Sequence, residues 1–173
     1  VPEACETGIV PTTSTTMMLA LGDALAIALM EHRAFTPDHF RVFHPGGKLG
    51  ARLLKVRDLM HDNPPLVPED TPMGEVLVEI SRKGFGVVGV TDAAGALAGI
   101  ITDGDLRRHL DGLMSHTAGE VMTRSPRTIR TEALAGEALA VMNDRKITCL
   151  LVTEGPHAIG ILHVHDCLRA GVA

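Results

Sequence analysis

Two stretches of this chain repeat one another at a spacing of about sixty residues. Gly99-Ile-Ile-Thr-Asp-Gly-Asp105 has the pattern of a buried strand that runs directly into a helix, and Gly160-Ile-Leu-His-Val-His-Asp166 has the same pattern 61 residues later. Glu75-Val-Leu77 and Glu137-Ala-Leu139 also match, at a spacing of 62. Because a unit of this size buries little apolar surface alone, the repeat predicts two copies of one α/β unit packed sheet to sheet.

The pattern of apolar residues and turn signals predicts the same order of elements in both copies. In the first copy we expect a helix near 72–82, strands near 86–91 and 97–101, and a helix at about 103–110. In the second copy we expect strands near 128–130, 147–153 and 158–162, and helices at about 132–145 and 164–170. Ahead of them, apolar residues spaced by three and four predict a helical linker over Lys48–His61.

The segment before the repeats predicts a helix that needs a partner. Thr12–Thr16 offers N-cap residues, and the helix at about Thr15–Arg33 is apolar on nearly every side. A helix that is apolar all round belongs inside a larger domain. Nothing in the next twenty residues is large enough to cover it, so we expect this chain to be the C-terminal piece of something longer.

Composition excludes some classes of function. The net charge is −5, and the chain has no Trp, no Tyr and four Phe, which argues against a nucleic-acid partner. Three cysteines without a CxxC pair favour a reducing cytoplasm over a disulfide framework. No uninterrupted apolar run reaches the roughly 20 residues of a membrane span, since Gly22 and Asp23 break the longest one.

The first repeated junction has two interpretations. Thr102 and the backbone N–H groups beside it stand at a helix start, where a phosphate is favoured, and Asp105 could accept hydrogen bonds from the hydroxyls of a ribose. Thr102 and Asp105 also have the spacing of a capping box, which needs no ligand. From spacing alone the helix cap is favoured over a ligand site. The recurrence of the aspartate at Asp166 makes the ligand site a closer second.

The second junction has histidines where the first has a threonine and a glycine. His163 and His165 would point the same way on an extended stretch, which makes a metal pair conceivable. No third ligand has convincing spacing, although His157 is near, so we expect no metal and interpret these histidines as surface or ligand-lining residues.

Glu3 and His44 could share proton-transfer work if they meet in space. They are 41 residues apart, and nothing local shows that they meet. On chain evidence alone the better interpretation is a surface acid and a loop histidine. Gly46 and Gly47, which follow the histidine, are the one hint that something approaches the backbone there closely.

The repeats resemble a tandem pair of cystathionine-β-synthase (CBS) domains. The matching motifs are Val56–Met60 with Gly99–Asp105, and Val121-Met122 with Gly160–Asp166. The resemblance implies a nucleotide-type ligand in the cleft between the copies, and makes Thr102, Asp103, Asp105, His163 and Asp166 the candidate binding residues. His163 departs from the usual Ser or Thr, which implies an altered second site.

Residues 1–50 resemble the D-arabinose 5-phosphate isomerase family, in which a sugar isomerase (SIS) domain precedes a CBS pair. The matching segments are Ala4-Cys5, Pro11–Thr16, Gly22–Ala26, His44–Gly47 and Leu49-Gly50. Phe43 departs from the Ser that the family often has before His-Pro-Gly-Gly. The expected architecture is α/β (α+β): the remnant of an SIS domain over 1–50, a first CBS domain over 53–112 and a second over 115–173.

This resemblance implies an aldose–ketose isomerase that interconverts D-ribulose 5-phosphate and D-arabinose 5-phosphate through an enediol, for Kdo and lipopolysaccharide synthesis. It places Glu3 and His44 in catalysis, requires no cofactor there, and implies inactivity of this chain alone. It also implies a cytoplasmic homo-oligomer, a tetramer in the full enzyme with dimerising CBS pairs, and regulation by CMP-Kdo or an adenosine nucleotide. The alternatives are a nucleotide-sensing module of another enzyme or transporter, and a CBS pair that only holds oligomers together.

Overall fold

The computed structural model describes residues 2–37, 39, 40 and 47–172, with the backbone alone for 47–49. Two compact units divide the chain, Val1–His44 and Pro45–Ala173. The Gly46-Gly47 step falls at the edge of the described range, so the predicted close approach behind His44 stays a prediction.

The first unit contains one long helix, α1, at Thr13–His32. No residue of this helix is buried, and its large apolar side chains are between 47% (Met30) and 72% (Met18) exposed. The predicted helix is therefore present with its apolar surface uncovered on all sides.

By length and composition α1 could cross a membrane, contrary to the prediction from an apolar run broken at Gly22 and Asp23. This single helix is weak evidence of a span, because core helices of soluble proteins and signal sequences have the same length and composition.

The second unit contains the repeats. Its helices are α2 (Gly47–Arg52), α3 (Met73–Lys83), α4 (Asp103–Arg108), α5 (Ala118–Val121), α6 (Ala135–Arg145) and α7 (Val164–Arg169), with short 3-10 helices at Val56–Asp58 and Leu113–Ser115. Its strands are β1 (Leu66–Pro68), β2 (Val87–Thr91), β3 (Leu97–Thr102), β4 (Thr123–Arg124), β5 (Thr128–Arg130), β6 (Cys149–Glu154) and β7 (His157–His163). The predicted elements of both copies are present within a few residues, and β1 and β4 are additional.

The two copies form two sheets of the same design. In the order β1-β2-β3-β4 the first pair is parallel and the others are antiparallel, and in β5-β6-β7 the first pair is parallel and the second antiparallel. A small apolar layer of Val87, Cys149, Leu151 and Ile161 lies apart from the main core of each copy. Val87 belongs to the first sheet and the other three to the second, so the sheets pack against each other as the repeat predicted.

Each copy gives its entry segment to the other copy. Val56, at the start of the first repeat, is fully buried in the core of the second sheet, and its N–H donates to the carbonyl oxygen of Ala133 at 2.9 Å. Ala118, its counterpart, is buried in the core of the first sheet, and its N–H donates to the carbonyl oxygen of Thr71 at 2.9 Å. The two repeats are thus exchanged at their N-terminal ends.

This exchange explains why the predicted helical linker over Lys48–His61 is wrong. The helix α2 ends at Arg52. Beyond it the N–H groups of Val56 and Arg57 donate to the carbonyl oxygens of Ala133 and Thr131, not to carbonyls of a preceding helical turn. Since a backbone N–H has one hydrogen to donate, pairing with the second copy replaces the helix there.

Candidate functional site

A cavity of about 450 Å³ lies where residues of both repeats meet. Its walls come from the start of β2, the junction between β3 and α4, the loop after β4, and the turn between α6 and β6. The lining residues are Phe85, Gly86, Val87, Ile100, Thr102, Asp103, Gly104, Thr123, Ser125, Pro126, Arg127, Arg145, Lys146, Ile147, Thr148 and Cys149. A concave site with apolar walls and a few polar groups is the usual form of a small-molecule site.

The junction between β3 and α4 presents Thr102 and Asp103 to this cavity. Val87 pairs with Thr102 across β2 and β3, which fixes where β3 ends and α4 begins. Two of the predicted binding residues therefore line one cavity, and whether a nucleotide occupies it stays a prediction.

Asp105 is 2% exposed and does not line the cavity. One of its carboxylate oxygens accepts from the N–H of Thr102 at 2.8 Å and from the hydroxyl of Thr102 at 2.6 Å. The other accepts from the hydroxyl of Thr123 at 2.6 Å and from the guanidinium of Arg108. The capping box that the spacing suggested is therefore present, and Asp105 holds Thr102 and Thr123 in place at the cavity wall.

The hydrogen bonds to Asp105 also set its charge. Burial alone would raise the pKa of this carboxyl, but donation by Thr102 and Thr123 and the positive charge of Arg108 together lower the pKa from its ordinary value. Asp105 is consequently ionised at neutral pH, as a carboxylate that accepts several hydrogen bonds should be.

At the second junction Asp166 is held differently. Its carboxylate accepts from the N–H of His163 at 3.2 Å and lies 3.1 Å from Nε2 of His61, a residue of the first repeat's entry segment. His61 is thus the counterpart of Thr123. The ring of Phe85 lies near both histidines, 5.1 Å from the ring of His61 and 6.5 Å from that of His163. The second junction has an aromatic and imidazole surface where the first has hydroxyls.

Among the described residues, no third ligand joins His163 and His165. Nδ1 of His163 accepts from the N–H of His165 at 3.2 Å. Across residues 2–37, 39, 40 and 47–172, no three His, Cys, Asp or Glu side chains are grouped so that they could hold a metal ion. Burial, followed by the nearby charge of His165, lowers the pKa of His163.

In the first unit Glu3 lies at the N-terminal end of α1. One carboxylate oxygen accepts from the N–H groups of Thr12, Thr13 and Ser14 at 2.7, 2.8 and 3.2 Å, and the other accepts from the hydroxyl of Ser14. The hydroxyl of Ser14 and these N–H groups lower the pKa of Glu3 from its ordinary value, against a smaller effect of burial. Glu3 therefore caps the helix.

The other predicted catalytic residue, His44, lies outside the described residues. The structure therefore does not show whether Glu3 and His44 meet, and their shared role stays a prediction.

Sequence reasoning missed the cations of the cavity. Arg127, Arg145 and Lys146 line it, yet they lie outside both repeated junctions. Lys146 carried one local signal, because it takes the place that Gly84 has in the first copy, one residue after the helix. Arg127 carried a weaker signal in the sequence. It reaches the cavity because it follows the entry segment that the second copy gives to the first.

Comparison with known families identifies the domain family of both repeats. The CBS domain family matches residues 56–112 and 118–173. Among solved structures, CBSX2 from Arabidopsis thaliana has a TM-score of 0.60 at 25% identity, over 69% of this chain and 94% of that one. A structure titled CBSX2 in complex with AMP has a TM-score of 0.60 at 26% identity, over 69% of this chain and 96% of that one.

Curated relatives match both units of the chain. Arabinose 5-phosphate isomerase KdsD of Pseudomonas aeruginosa is 50% identical over 98% of this chain and 54% of its own length. The protein of the same name from Yersinia pestis is 45% identical, and that from Escherichia coli K12 is 44% identical, with the same coverage. The chain thus spans about half the length of the curated relatives it matches. It corresponds to their C-terminal part, which confirms the resemblance drawn from the motifs.

Proposed function

Because the chain belongs to the CBS domain family and aligns along 98% of its length with arabinose 5-phosphate isomerases, we propose that it forms the C-terminal part of such an isomerase and senses a nucleotide. The observation that carries the sensing role is the cavity of about 450 Å³ between the repeats. Residues 1–50, 53–112 and 115–173 are then an SIS-domain remnant and two CBS domains.

The proposed reaction of the whole enzyme interconverts D-ribulose 5-phosphate and D-arabinose 5-phosphate. From ketose to aldose, one proton leaves C1 and one is delivered to C2 through an enediol, while a proton leaves O1 and one reaches O2. Glu3 is proposed to move the carbon-bound proton, and His44 to relay protons at the sugar oxygens. No cofactor is needed for these steps.

The cap geometry sharpens the proposal for Glu3. A carboxylate that accepts from Thr12, Thr13 and Ser14 is fixed in position, but its lowered pKa makes it a weaker base. The hydroxyl of Ser14 donates to the second carboxylate oxygen, and that oxygen keeps one further acceptor position for a substrate proton. Glu3 thus has a structural role that competes with the catalytic one.

Kinetics of the full-length enzyme separate the two roles. If Glu3 transfers a proton, Glu3→Gln lowers kcat by 100-fold or more, and Ser14→Ala, which removes one hydrogen bond of the same cap, does not. His44→Ala should lower kcat in the same range. Equally small losses of kcat in Glu3→Gln and Ser14→Ala would show that Glu3 only caps the helix. We expect no turnover from the 173-residue chain by itself, and measurable turnover would contradict that.

The proposed ligand of the cavity is a nucleotide. Phe85 and Ile100 supply apolar wall for a base, and Arg145 and Lys146 supply positive charge. The AMP complex of CBSX2, at 26% identity, supports an adenosine nucleotide, and CMP-Kdo is the second candidate as an end product. A thermal-shift series with AMP, ATP and CMP-Kdo tests this, and the absence of any shift would remove the sensing role.

We propose a cytoplasmic homo-oligomer, a tetramer in the full enzyme with dimerising CBS pairs, without nucleic-acid or membrane partners. The exposed apolar surface of α1 supports association, because the rest of an SIS domain or another subunit would cover it. Sedimentation of the full-length enzyme with and without residues 53–173 tests it, and an unchanged number of subunits after deletion would remove the CBS pair from assembly. Alignment of the first unit with isomerases favours this over a module of another enzyme or transporter.

A further inference from the structure

Two residues of the cavity have a backbone conformation that L-amino acids rarely adopt. Within the part of the chain that the structure describes, three residues other than glycine have positive φ: Ala34, Ser125 and Lys146. Ser125 and Lys146 line the cavity, with φ of 53° and 54°. Strained backbone of this kind collects at functional sites, where the surrounding structure holds it.

The first copy shows the unstrained form of the same turn. Gly84, 62 residues before Lys146, ends α3 in the left-handed conformation with φ of 73°. Lys146 ends α6 in that conformation with φ of 54°. A helix end of this type favours glycine. The second copy therefore carries a lysine where the fold alone prefers a glycine, and that lysine lines the cavity.

The cavity carries an excess of positive charge. Arg127, Arg145 and Lys146 line it, against one carboxylate, that of Asp103. Arg145 lies 3.9 Å from the carboxylate of Asp144, and among the described residues no carboxylate lies within 4 Å of Arg127 or Lys146. Positive charge without a protein counterion favours an anionic ligand group.

The two threonines that line the cavity, Thr102 and Thr123, donate their hydroxyl hydrogens to another protein group. The N–H and the hydroxyl of Thr102 both donate to Asp105, and the hydroxyl of Thr123 does the same. Thr102 and Thr123 therefore have no hydroxyl hydrogen left for an anion, whereas three cationic side chains line the same cavity.

We infer that Arg127, Arg145 and Lys146 form the phosphate subsite of the cavity and make it select nucleotides over nucleosides. This inference rests on the proposed sensing of a nucleotide. The apolar wall at Phe85 and Ile100 takes the base, and the cationic wall takes the phosphate. Arg127 follows the exchanged entry segment and Lys146 follows α6, so a bound phosphate also bridges two separate segments of the fold.

Calorimetric titration of the chain tests the inference with AMP, CMP, adenosine, cytidine and inorganic phosphate. We expect at least one nucleotide to bind about tenfold or more tightly than its nucleoside and than phosphate. Lys146→Gly should weaken binding of that nucleotide about tenfold and leave binding of the nucleoside unchanged. The same substitution should raise the melting temperature without ligand, since glycine adopts this conformation freely. Opposite changes in stability and affinity separate a binding role from a structural one.

Arg130→Ala is the matched control, because it removes one positive charge from an exposed position of β5 outside the cavity. It should leave both affinities unchanged. Equal binding of nucleotide and nucleoside, or unchanged nucleotide affinity in Lys146→Gly, would overturn the subsite and leave the proposed nucleotide sensing intact. Phosphate that binds as tightly as AMP would also overturn the selectivity. No binding of any nucleotide or nucleoside would overturn both proposals.

Discussion

Thr123 donates its hydroxyl hydrogen to Asp105 at 2.6 Å, and this bond joins the two repeats. Thr123 begins β4, which follows the entry helix of the second copy, whereas Asp105 belongs to α4 of the first. The counterpart in the other direction is the 3.1 Å contact between His61 and Asp166. Each junction is therefore held by a residue that the other copy's entry segment delivers.

Loss of the hydroxyl at this connection should destabilise the second unit. Thr123→Val keeps the shape of the side chain and removes one of the donors to an ionised, buried carboxylate. A hydrogen bond to a charged group contributes roughly 1.5–3 kcal/mol, and partial exposure of Thr123 reduces this to about 1 kcal/mol. Urea denaturation measures the difference.

Thr128→Val is the control for this substitution, since Thr128 is exposed on β5. It should change the free energy of unfolding by less than about 0.5 kcal/mol. Equal stability of Thr123→Val and Thr128→Val would show that the bond to Asp105 contributes nothing.

Much of the second unit could be predicted from the sequence, because its information is local. The 61- and 62-residue spacings predicted two copies, and the pattern of apolar residues and turn signals placed β2, β3, β6 and β7 within two residues of their observed bounds. The capping box at Thr102 and Asp105 was equally local, because it depends on a spacing of three.

The rest depends on contacts between distant segments. The exchange of entry segments pairs Val56 with Ala133, and no local pattern encodes which copy an apolar segment covers. The cationic wall also joins distant segments, because Arg127 and the pair Arg145 and Lys146 come to one cavity with Thr102. The cap formed by Glu3 was missed for another reason: its partners lie 9 to 11 residues away, beyond the spacing of an ordinary capping box.

The exchanged segments also require glycine on the facing strands. A Cβ added at Gly99 would lie 2.8 Å from Cγ and 3.0 Å from Cβ of Met122, and closer still to its sulfur. Gly99→Ala should therefore destabilise the second unit by about 1–3 kcal/mol. Removal of the crowding atoms in Gly99→Ala with Met122→Ala should recover part of this loss, so that the two substitutions are not additive.

Gly136→Ala is the matched control for this cycle, because its added Cβ meets only Val172, at an ordinary 3.9 Å. Within α6 it should be neutral or stabilising by up to about 1 kcal/mol. Strict additivity of the Gly99 and Met122 substitutions in urea denaturation would contradict close packing of the exchanged segment.

His163 should make the second unit sensitive to mild acid. Burial lowers the pKa of His163 below its ordinary value of 6.5, so the unfolded chain takes up this proton more readily than the folded one. The stability linked to this group is therefore fully present above about pH 6.5 and is lost as the pH falls towards the folded pKa. His163→Thr, which restores the residue of the first copy, should flatten the dependence between pH 7 and 5. The exposed His157 serves as control, and an unchanged slope in His163→Thr would assign the acid sensitivity elsewhere.

The apolar surface of α1 should be available to solvent in this chain. Leu21 and Leu25 are 62% and 56% exposed, so Leu21→Gln with Leu25→Gln should reduce the fluorescence of a hydrophobic dye by half or more. The urea midpoint of the second unit should not change, since α1 belongs to the first unit and none of its own residues is buried. Thr16→Gln, on the same helix, is the control and should leave dye binding unchanged. Full dye binding in the double variant would contradict exposure of this helix. Co-sedimentation of the wild-type chain with phosphatidylcholine vesicles, lost in the double variant, would instead make α1 a membrane-binding helix.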